Sequence, residues 1–220
     1  MTAVTTGVQR NAEHYYTKEV TMYKLILLRH GRSLADDEEK HEGRYDSPLT
    51  SIGIDQAKIT LQELKKMNFS FNAIITSTLM RAQTTAEIIN EEFNVPIIKS
   101  ELFMERDNGK LAGLMRKDAE SKFPKAPFLT PFSYFPDMSG ENLVLLHARA
   151  LRALDFVFKN QPGHYLIVSH GGFLNALIRV ILGIQAPIND SGVVFQFRDN
   201  GYMEIDYFEE NHKWVIRSLK

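Results

Sequence analysis

Two histidines occupy the same kind of position in this sequence, directly after an apolar run and directly before a glycine. The first run reads LILLRHG around His30, and the second reads YLIVSHG around His170. In an open parallel sheet, ligands bind beyond the carboxyl ends of the strands, so we expect the two imidazoles to face one another. A neutral imidazole is a nucleophile near neutral pH and can attack phosphorus. The pattern therefore predicts a phosphoryl-transfer site.

Two arginines accompany these histidines. Arg29 precedes His30, and Arg81 lies in STLMRAQTTA, where it falls in the first turn of a predicted helix. A guanidinium matches the oxygens of a tetrahedral phosphate, and a helix N-terminus also favours anions. The arginines would keep one histidine neutral, while the other, when protonated, would stabilise charge on the transferring phosphoryl group without a metal ion.

A leaving alkoxide also needs a proton, so a carboxylic acid should project into the same pocket. Glu105, in ELFMERDNGKLAGL, follows the short apolar run VPII and is the preferred candidate. Glu101 lies nearer to the same predicted strand end and competes with it for this role.

The elements that must position these residues can be read from the hydrophobic pattern. Short apolar runs alternate with amphipathic segments, which is typical of βαβ units and predicts an α/β fold with a mainly parallel central sheet. Thr50 and Thr78 are the predicted N-caps of two helices. The predicted strands cover residues 23–28, 73–76, 95–98 and 165–168, with an antiparallel edge formed by 193–197, 202–208 and 213–217.

Two predicted loops, residues 106–140 and 36–42, are interpreted differently. Residues 106–140 are rich in proline, phenylalanine and glycine, and the prolines exclude a long regular helix there. Because so many aromatic residues are unusual in a solvated loop, we interpret this segment as a lid over the pocket. The acidic run DDEEKHE, residues 36–42, is interpreted as a solvated loop.

The bulk properties exclude several classes of function. The chain has 220 residues, a net charge of −1 and no cysteine. It therefore has no basic field that would attract nucleic acid or an anionic membrane, and no thiolate metal ligand or disulfide. Residues 1–21 are polar and lack the apolar region of a signal peptide, so we expect a polar extension before one domain at 22–220. Cytoplasmic localisation is expected from the cysteine-free composition.

Five motifs follow one another in a recognisable order: LLRHGRS, GRYDSPLTSIG, STLMRAQTTA, ERDNGKLAG and VSHGG. In these motifs the chain resembles the histidine phosphatase superfamily, also called the phosphoglycerate mutase-like family, over residues 22–220. The resemblance implies a three-layer α/β/α fold whose mainly parallel sheet has an antiparallel edge. It also implies chemistry through a phosphohistidine.

The resemblance assigns catalytic roles to the matching positions. His30 would be the phosphorylated nucleophile, and Glu105 would be the proton donor and acceptor. Arg29, Arg81 and His170 would complete the phosphate pocket.

The resemblance also implies substrate-binding positions. The Ser33 side chain and the Gly171 backbone would be accessories of the phosphate pocket, and Gly43 would border the substrate. Asp36 stands where the family often has asparagine, so an amide contact to phosphate is lost and the carboxylate turns outward or binds another substrate group. Arg116 stands where phosphoglycerate mutases carry a lysine for the substrate.

We therefore expect a metal-independent phosphomonoesterase that acts on a small phosphorylated metabolite and needs no cofactor. The alternative is a cofactor-dependent phosphoglycerate mutase, although residues 109–140 are compact where the family's mutases carry a longer insertion. A non-catalytic phosphate-binding module is less favoured because no catalytic residue is missing. Nucleic acid and membranes are not expected as partners, and the C-terminal edge strands could pair two copies into a homodimer.

Overall fold

A computed structural model describes residues 22–189 and 191–220. The predicted extension at residues 1–21 lies outside the described residues. The described part forms a six-stranded sheet with helices on both faces. The strands are β1 (Met22–Arg29), β2 (Ala73–Thr76), β3 (Ile97–Lys99), β4 (His164–Ser169), β5 (Tyr202–Phe208) and β6 (Lys213–Leu219).

In residues 22–189 and 191–220, six α-helices connect or flank these strands. They are α1 (Leu34–Asp37), α2 (Ser51–Lys66), α3 (Met80–Phe93), α4 (Arg116–Lys122), α5 (Leu143–Phe158) and α6 (Gly171–Ile181). Within the described residues, no helix has the length and apolar character that crossing a membrane requires.

The sheet is mainly parallel. Its strands lie in the order β3-β2-β4-β1-β5-β6. The first four run parallel, whereas β5 pairs antiparallel with β1 and β6 pairs antiparallel with β5. The predicted parallel sheet with an antiparallel edge is therefore confirmed. Because β6 is an edge strand, pairing of two copies along it stays a prediction.

Side chains that alternate along β1 define the three layers. Leu25 and Leu27 pack in the core that includes α5 and α6, whereas Ile26 and Leu28 pack in the core that includes α2 and α3. All four are at most 2% exposed, and full burial of such a side chain contributes about 1.5–3 kcal/mol. Both faces of the sheet are covered, which explains the continuous apolar run and confirms the predicted α/β/α arrangement.

The two predicted N-caps had different outcomes. Thr50 caps α2, because its Oγ1 accepts a hydrogen bond from the Gly53 amide at 3.1 Å. The prediction for α3 is wrong, since the N-cap is Leu79 rather than Thr78 and no side chain caps this helix. Ser77 makes the local contact instead, because its Oγ accepts a hydrogen bond from the Leu79 amide at 3.2 Å.

The predicted strand at residues 193–197 is also wrong, because this segment is irregular. Side chains occupy backbone groups that a neighbouring strand would need. The Asn175 amide donates to the Phe195 carbonyl at 2.9 Å and accepts from the Phe195 N–H at 2.8 Å. Arg29 Nη1 donates to the Phe197 carbonyl at 3.1 Å. The segment therefore packs beside the end of β1 instead of extending the sheet.

Residues 106–140 contain little regular structure. They include the 3₁₀ turns Gly109–Leu111 and Pro136–Met138 and the short helix α4, which ends two residues before Pro124. The prolines thus limit helix length as expected. The role of this segment as a lid stays a prediction.

Candidate active site

The central strand pair brings the two histidines together. β1 and β4 run parallel with Arg29 opposite Ser169, so the next residues, His30 and His170, leave the sheet side by side. The His30 amide donates to the Ser169 carbonyl at 3.0 Å. The ring centroids are 5.0 Å apart, and both side chains are at most 1% exposed. The structure therefore places both imidazoles in one buried site at the carboxyl ends of the parallel strands.

His30 has a defined tautomer. Its Nδ1 lies 2.7 Å from the Gly31 carbonyl oxygen, which can only accept, so Nδ1 carries the proton and Nε2 keeps a lone pair. Arg81 Nε donates to that Nε2 at 3.1 Å. A neutral imidazole held in one tautomer is suited to nucleophilic attack.

Arg81 is fully buried and lies at the start of α3. Its Nη1 donates to the Tyr45 carbonyl at 3.0 Å and its Nη2 to the Gly43 carbonyl at 2.9 Å. Together with the bond to His30, these contacts use three of the five guanidinium N–H groups. The remaining two are available to the oxygens of a ligand.

Arg29 is the last residue of β1, directly before His30. Its Nη2 forms an ion pair with Asp199 at 3.1 Å, a residue that the sequence did not identify. A Cβ placed on Gly171 would lie 3.7 Å from Arg29 Nε, so this guanidinium lies beside the first residue of α6. The site therefore combines two arginines with a helix N-terminus, which together favour an anion.

His170 is the N-cap residue of α6. Its Nε2 lies 2.8 Å from Ser77 Oγ at the end of β2. Its Nδ1 is buried and has no hydrogen-bond partner among the described residues. Buried polar atoms usually have partners, so a ligand oxygen at this nitrogen would satisfy it.

The electrostatics of the site favour neutral histidines. Burial, followed by the charges of Arg81 and Arg29, holds the pKa of His30 well below its ordinary value. Burial and Arg81 also hold the pKa of His170 well below its ordinary value. The positive charge expected on His170 is thus disfavoured until an anion binds. No group of three or more His, Asp or Glu side chains in the described part of the chain is arranged to hold a metal ion.

Glu105 lies at the N-terminus of α6. Its Oε2 accepts from the Gly172 amide and its Oε1 from the Phe173 amide, both at 2.9 Å, so the carboxylate meets the positive end of the helix dipole. A Cβ on Gly172 would come within 2.6 Å of Glu105 Oε1, which explains the second glycine of VSHGG. The competing Glu101 is exposed in a 3₁₀ turn. The structure therefore brings Glu105, rather than Glu101, to the histidines.

The backbone that carries Glu105 is held by a buried ion pair that the sequence did not reveal. Arg149 Nε and Nη2 donate to the two carboxylate oxygens of Glu141 at 2.8 and 2.7 Å. The same guanidinium donates to the carbonyls of Leu102, Met104 and Glu105 at 2.9, 2.6 and 3.1 Å. All five of its N–H groups thus have partners, and three of them fix the turn before the candidate acid.

Replacing Arg149 by methionine should destabilise the protein strongly. The change leaves the buried Glu141 carboxylate without its cation, which typically costs about 3–5 kcal/mol. The midpoint of thermal unfolding should therefore fall, by roughly 2–4 °C for each kcal/mol of lost stability in a domain of this size. Lys159→Met, which removes an exposed ion pair with Asp155 on the same helix, is the matched control and should change the midpoint little. Equal midpoints for the two variants would contradict this assignment.

The predicted substrate-binding residues of the first loop make contacts within the protein, and their contact with a substrate stays a prediction. Ser33 and Asp36 form a capping box on α1, in which the Ser33 amide donates to Asp36 Oδ2 at 3.0 Å. The Asp36 carboxylate therefore caps a helix. Gly43 adopts a positive φ of 50°, and its carbonyl orients Arg81. Its observed contribution is to position the arginine.

The other two predicted substrate-binding residues, Gly171 and Arg116, lie in different surroundings. Gly171 opens α6 next to Arg29. Arg116 is exposed at the first residue of α4, and its charge adds to burial in lowering the pKa of His41. The structure thus places Gly171 at the histidine pair and Arg116 on the segment predicted to be the lid.

Glu42 is a site residue that sequence reasoning missed. The interpretation of residues 36–42 as a solvated loop is wrong at this position, since the Glu42 side chain is only 14% exposed. Its Oε1 lies 3.2 Å from Arg81 Nε, and its Oε2 lies 3.9 Å from His30 Nε2. The loop turns inward here because Gly43 and Tyr45 supply the carbonyls that bind Arg81. The signal available in the sequence was that Glu42 directly precedes the GRYDSPLT motif.

A cavity of about 660 Å³ is lined mostly by residues of the segment 106–140. Its lining combines apolar and aromatic side chains with charged ones. Two lining residues, His41 and Arg106, are the immediate chain neighbours of Glu42 and Glu105. The cavity is thus lined by residues adjacent in sequence to two site residues, whereas His30, His170, Arg29, Arg81 and Glu105 do not line it.

Sequence comparisons point to one family. The model of the histidine phosphatase superfamily, branch 1, matches residues 25–217. An uncharacterised phosphatase of Bacillus subtilis, PhoE, is 33% identical over 197 residues, which cover 89% of this chain and 93% of that protein. A phosphoglycerate mutase of Schizosaccharomyces pombe is 34% identical over 212 residues, which cover 92% of this chain and 98% of that protein. The relatives thus include a phosphatase and a mutase.

Solved structures show the same fold. The alpha-ribazole phosphatase of Shigella flexneri is similar with a TM-score of 0.75 and 25% identity, covering 89% of this chain and 95% of that one. A mycobacterial glucosyl-3-phosphoglycerate phosphatase has a TM-score of 0.73 at 21% identity, covering 89% of this chain and 97% of that one. The second likeness concerns the fold alone.

Proposed function

Because the chain belongs to the histidine phosphatase superfamily, branch 1, we propose that it is a phosphomonoesterase acting on a small phosphorylated metabolite through a phosphohistidine. The observation that carries this proposal is the buried, neutral His30, whose Nε2 accepts a hydrogen bond from Arg81 and whose ring lies 5.0 Å from that of His170. An arrangement of this kind can bind a phosphate dianion and attack its phosphorus.

Binding would exchange contacts inside the pocket. A phosphate oxygen would accept the Arg81 Nε–H, which releases the Nε2 lone pair of His30 for attack. Arg29 and the unpartnered Nδ1 of His170 would contact the remaining oxygens. The two guanidiniums carry the positive charge that would stabilise the negative charge of the phosphoryl group in the transition state. We therefore expect turnover to continue in the presence of a chelator.

Two chemical steps would follow. In the first, His30 Nε2 bonds to phosphorus while the ester P–O bond breaks, and the leaving alkoxide takes a proton from Glu105. In the second, a water oxygen bonds to phosphorus while the P–N bond breaks, and Glu105 accepts the proton of that water. The hydrogen bonds from Gly172 and Phe173 would hold the carboxyl in place through both steps.

The cavity lined mostly by the predicted lid favours a substrate with a bulky leaving group. Phe123, Leu129 and Phe135 line it together with the cations Lys122 and Lys125. Arg106, the residue after the candidate acid, lies 4.3 Å from the centre of the Phe135 ring and so joins the two ends of the predicted lid. These contacts support a partly apolar leaving group that carries negative charge.

The direct test is phosphate release from a panel of phosphomonoesters in EDTA. We expect release from several of them, fastest with bulky leaving groups. Absence of release from every ester, with or without added divalent metal, would contradict the proposal.

Glu105→Gln should separate substrates by their leaving groups. An alkyl phosphate such as glycerol phosphate needs a proton on its leaving oxygen, so kcat/KM, which reports the step that forms the phosphohistidine, should fall about 10²–10³-fold. An aryl phosphate such as p-nitrophenyl phosphate leaves as a stable anion and should lose about tenfold or less. Steady-state kinetics on both substrates provide the measurement.

Glu101→Gln is the matched control, because it changes the competing carboxylate, which lies four residues earlier in an exposed position. It should leave both activities nearly unchanged. Equal losses on both substrates in Glu105→Gln would remove the residue from the role of acid, since a displaced backbone would affect both reactions alike.

Phosphoglycerate mutase is the second candidate. It is supported by the similarity to the mutase of Schizosaccharomyces pombe, which covers 98% of that protein. The match covers nearly the whole of both chains, so this mutase has a length similar to that of this chain. The compact segment 109–140 therefore does not by itself argue against mutase activity. Formation of 2-phosphoglycerate from 3-phosphoglycerate in the presence of bisphosphoglycerate, without phosphate release, would favour this candidate.

A further inference from the structure

Glu42 holds a carboxyl group where the reacting phosphate would lie. Its Oε2 is 3.9 Å from His30 Nε2, the nitrogen that would attack phosphorus, and its Oε1 is 3.2 Å from Arg81 Nε. A phosphoryl group within reach of Nε2 is therefore also within reach of Glu42. Two negative groups in one buried pocket repel each other strongly, so the ionised carboxylate and a phosphate dianion would compete for the same guanidinium.

The surroundings of Glu42 do not stabilise its charge fully. Burial, and secondarily the Asp36 carboxylate, raises the pKa of Glu42 although Arg81 and Arg29 act in the opposite direction. The groups that face it are Arg29 and His30 at the end of β1, Ser33 and Asp36 at α1, and Arg81 on α3. Protonation therefore lies closer to neutral pH than for an exposed glutamate.

The Ser33 hydroxyl gives an independent geometric indication. Its oxygen lies 2.5 Å from Glu42 Oε1 and 3.1 Å from Asp36 Oδ2. A hydroxyl has one proton and can donate it to only one of these carboxylates. Both contacts become hydrogen bonds when Glu42 carries a proton and donates it to Ser33, which then donates its own to Asp36. Asp36 Oδ2 also accepts from the Ser33 amide, which suits the ionised form of that partner.

We propose that this pocket takes up a phosphate dianion together with one proton, which resides on Glu42. The inference rests on the proposed function, because it needs the phosphate to lie against His30 and Arg81. With Glu42 neutral, Arg81 is released to the phosphate and the repulsion disappears. Glu42 is thus a binding residue whose protonation sets the pH range in which the substrate's phosphate enters.

Sulfate binding tests this proposal without turnover. Sulfate is a tetrahedral dianion whose own charge is constant between about pH 5 and pH 8. Its association constant would be measured by isothermal titration calorimetry for the wild type and for Glu42→Gln, whose amide is neutral at every pH and can still donate a hydrogen bond. Because His30 and His170 titrate in both proteins, the ratio of the two association constants isolates the contribution of Glu42.

We expect that ratio to approach one near pH 5 and to reach about tenfold or more in favour of Glu42→Gln near pH 8. The sign follows from the wild type, in which the ionised fraction of Glu42 grows as the pH rises and binding must take up a proton. Glu42→Ser, which lacks the carboxyl, should show the same trend and replaces the glutamine variant if that one does not fold.

Glu39→Gln removes a charge from the same acidic loop at an exposed side chain and should give a ratio to wild type that does not change with pH. A constant ratio for Glu42→Gln as well would overturn the proton coupling while leaving the proposed function intact. Failure of the wild type to bind either sulfate or inorganic phosphate at any pH would remove the phosphate pocket, and the proposed function with it.

Discussion

Replacing His30 by asparagine is expected to lower kcat by on the order of 10⁴-fold or more on every phosphomonoester that the wild type hydrolyses. An amide nitrogen has no free lone pair for attack on phosphorus, so no covalent intermediate can form. The pocket itself should persist, because Arg29, Arg81 and His170 are held by other partners. Sulfate affinity should therefore fall far less than turnover.

His212→Asn provides the matched control for this prediction. His212 is exposed in the turn between β5 and β6, and its positive φ of 53° is a conformation that asparagine tolerates. The control should retain wild-type kcat, and thermal unfolding should show that both variants are folded. Retention of more than about a tenth of the activity by His30→Asn would show that another group attacks phosphorus.

Replacing Arg81 by lysine should be the next largest loss, at about 10²–10³-fold in kcat/KM. Lysine keeps one positive charge but has neither the planar fork nor the reach to bind both the Tyr45 and Gly43 carbonyls and a phosphate at once. Most of the loss should fall on kcat, because the transferring phosphoryl group needs its charge stabilised most in the transition state.

Arg152→Lys, on the exposed face of α5, is the control for this substitution and should stay within about twofold of the wild type. Because Arg81 is fully buried, the melting temperature of Arg81→Lys would be measured alongside. A folded Arg81→Lys variant with nearly normal kcat/KM would show that this guanidinium does not contact the reacting phosphate.

The parts of the fold that follow from local pattern were predictable from the sequence. β1 and β4 are buried on both faces, and their apolar runs identify them without ambiguity. The parallel pairing then places His30 and His170 together, because both follow their strands directly. Glu105 was preferred because it follows the predicted strand VPII and matches the family motif, but the sequence left Glu101 as a competitor.

The parts that depend on contacts between distant residues were not predictable. Glu42 belongs to a charged run that reads as solvated, and only the docking of that loop onto Arg81 buries it. Arg149 and the carbonyl of Glu105 are 44 positions apart in sequence, so their contact leaves no local pattern. The segment 193–197 has the alternation of a strand, but Asn175 and Arg29 bind its backbone groups and exclude it from the sheet.

The most direct test of the proposed mechanism is to isolate the covalent intermediate. The wild type would be mixed with a rapidly cleaved aryl phosphate in EDTA, quenched under alkaline conditions that preserve phosphohistidine, digested and mapped by mass spectrometry. We expect one acid-labile phosphoryl group, located on His30, that disappears in His30→Asn. Continued turnover with no phosphoryl group on any peptide, or with the group on another residue, would contradict nucleophilic catalysis by His30.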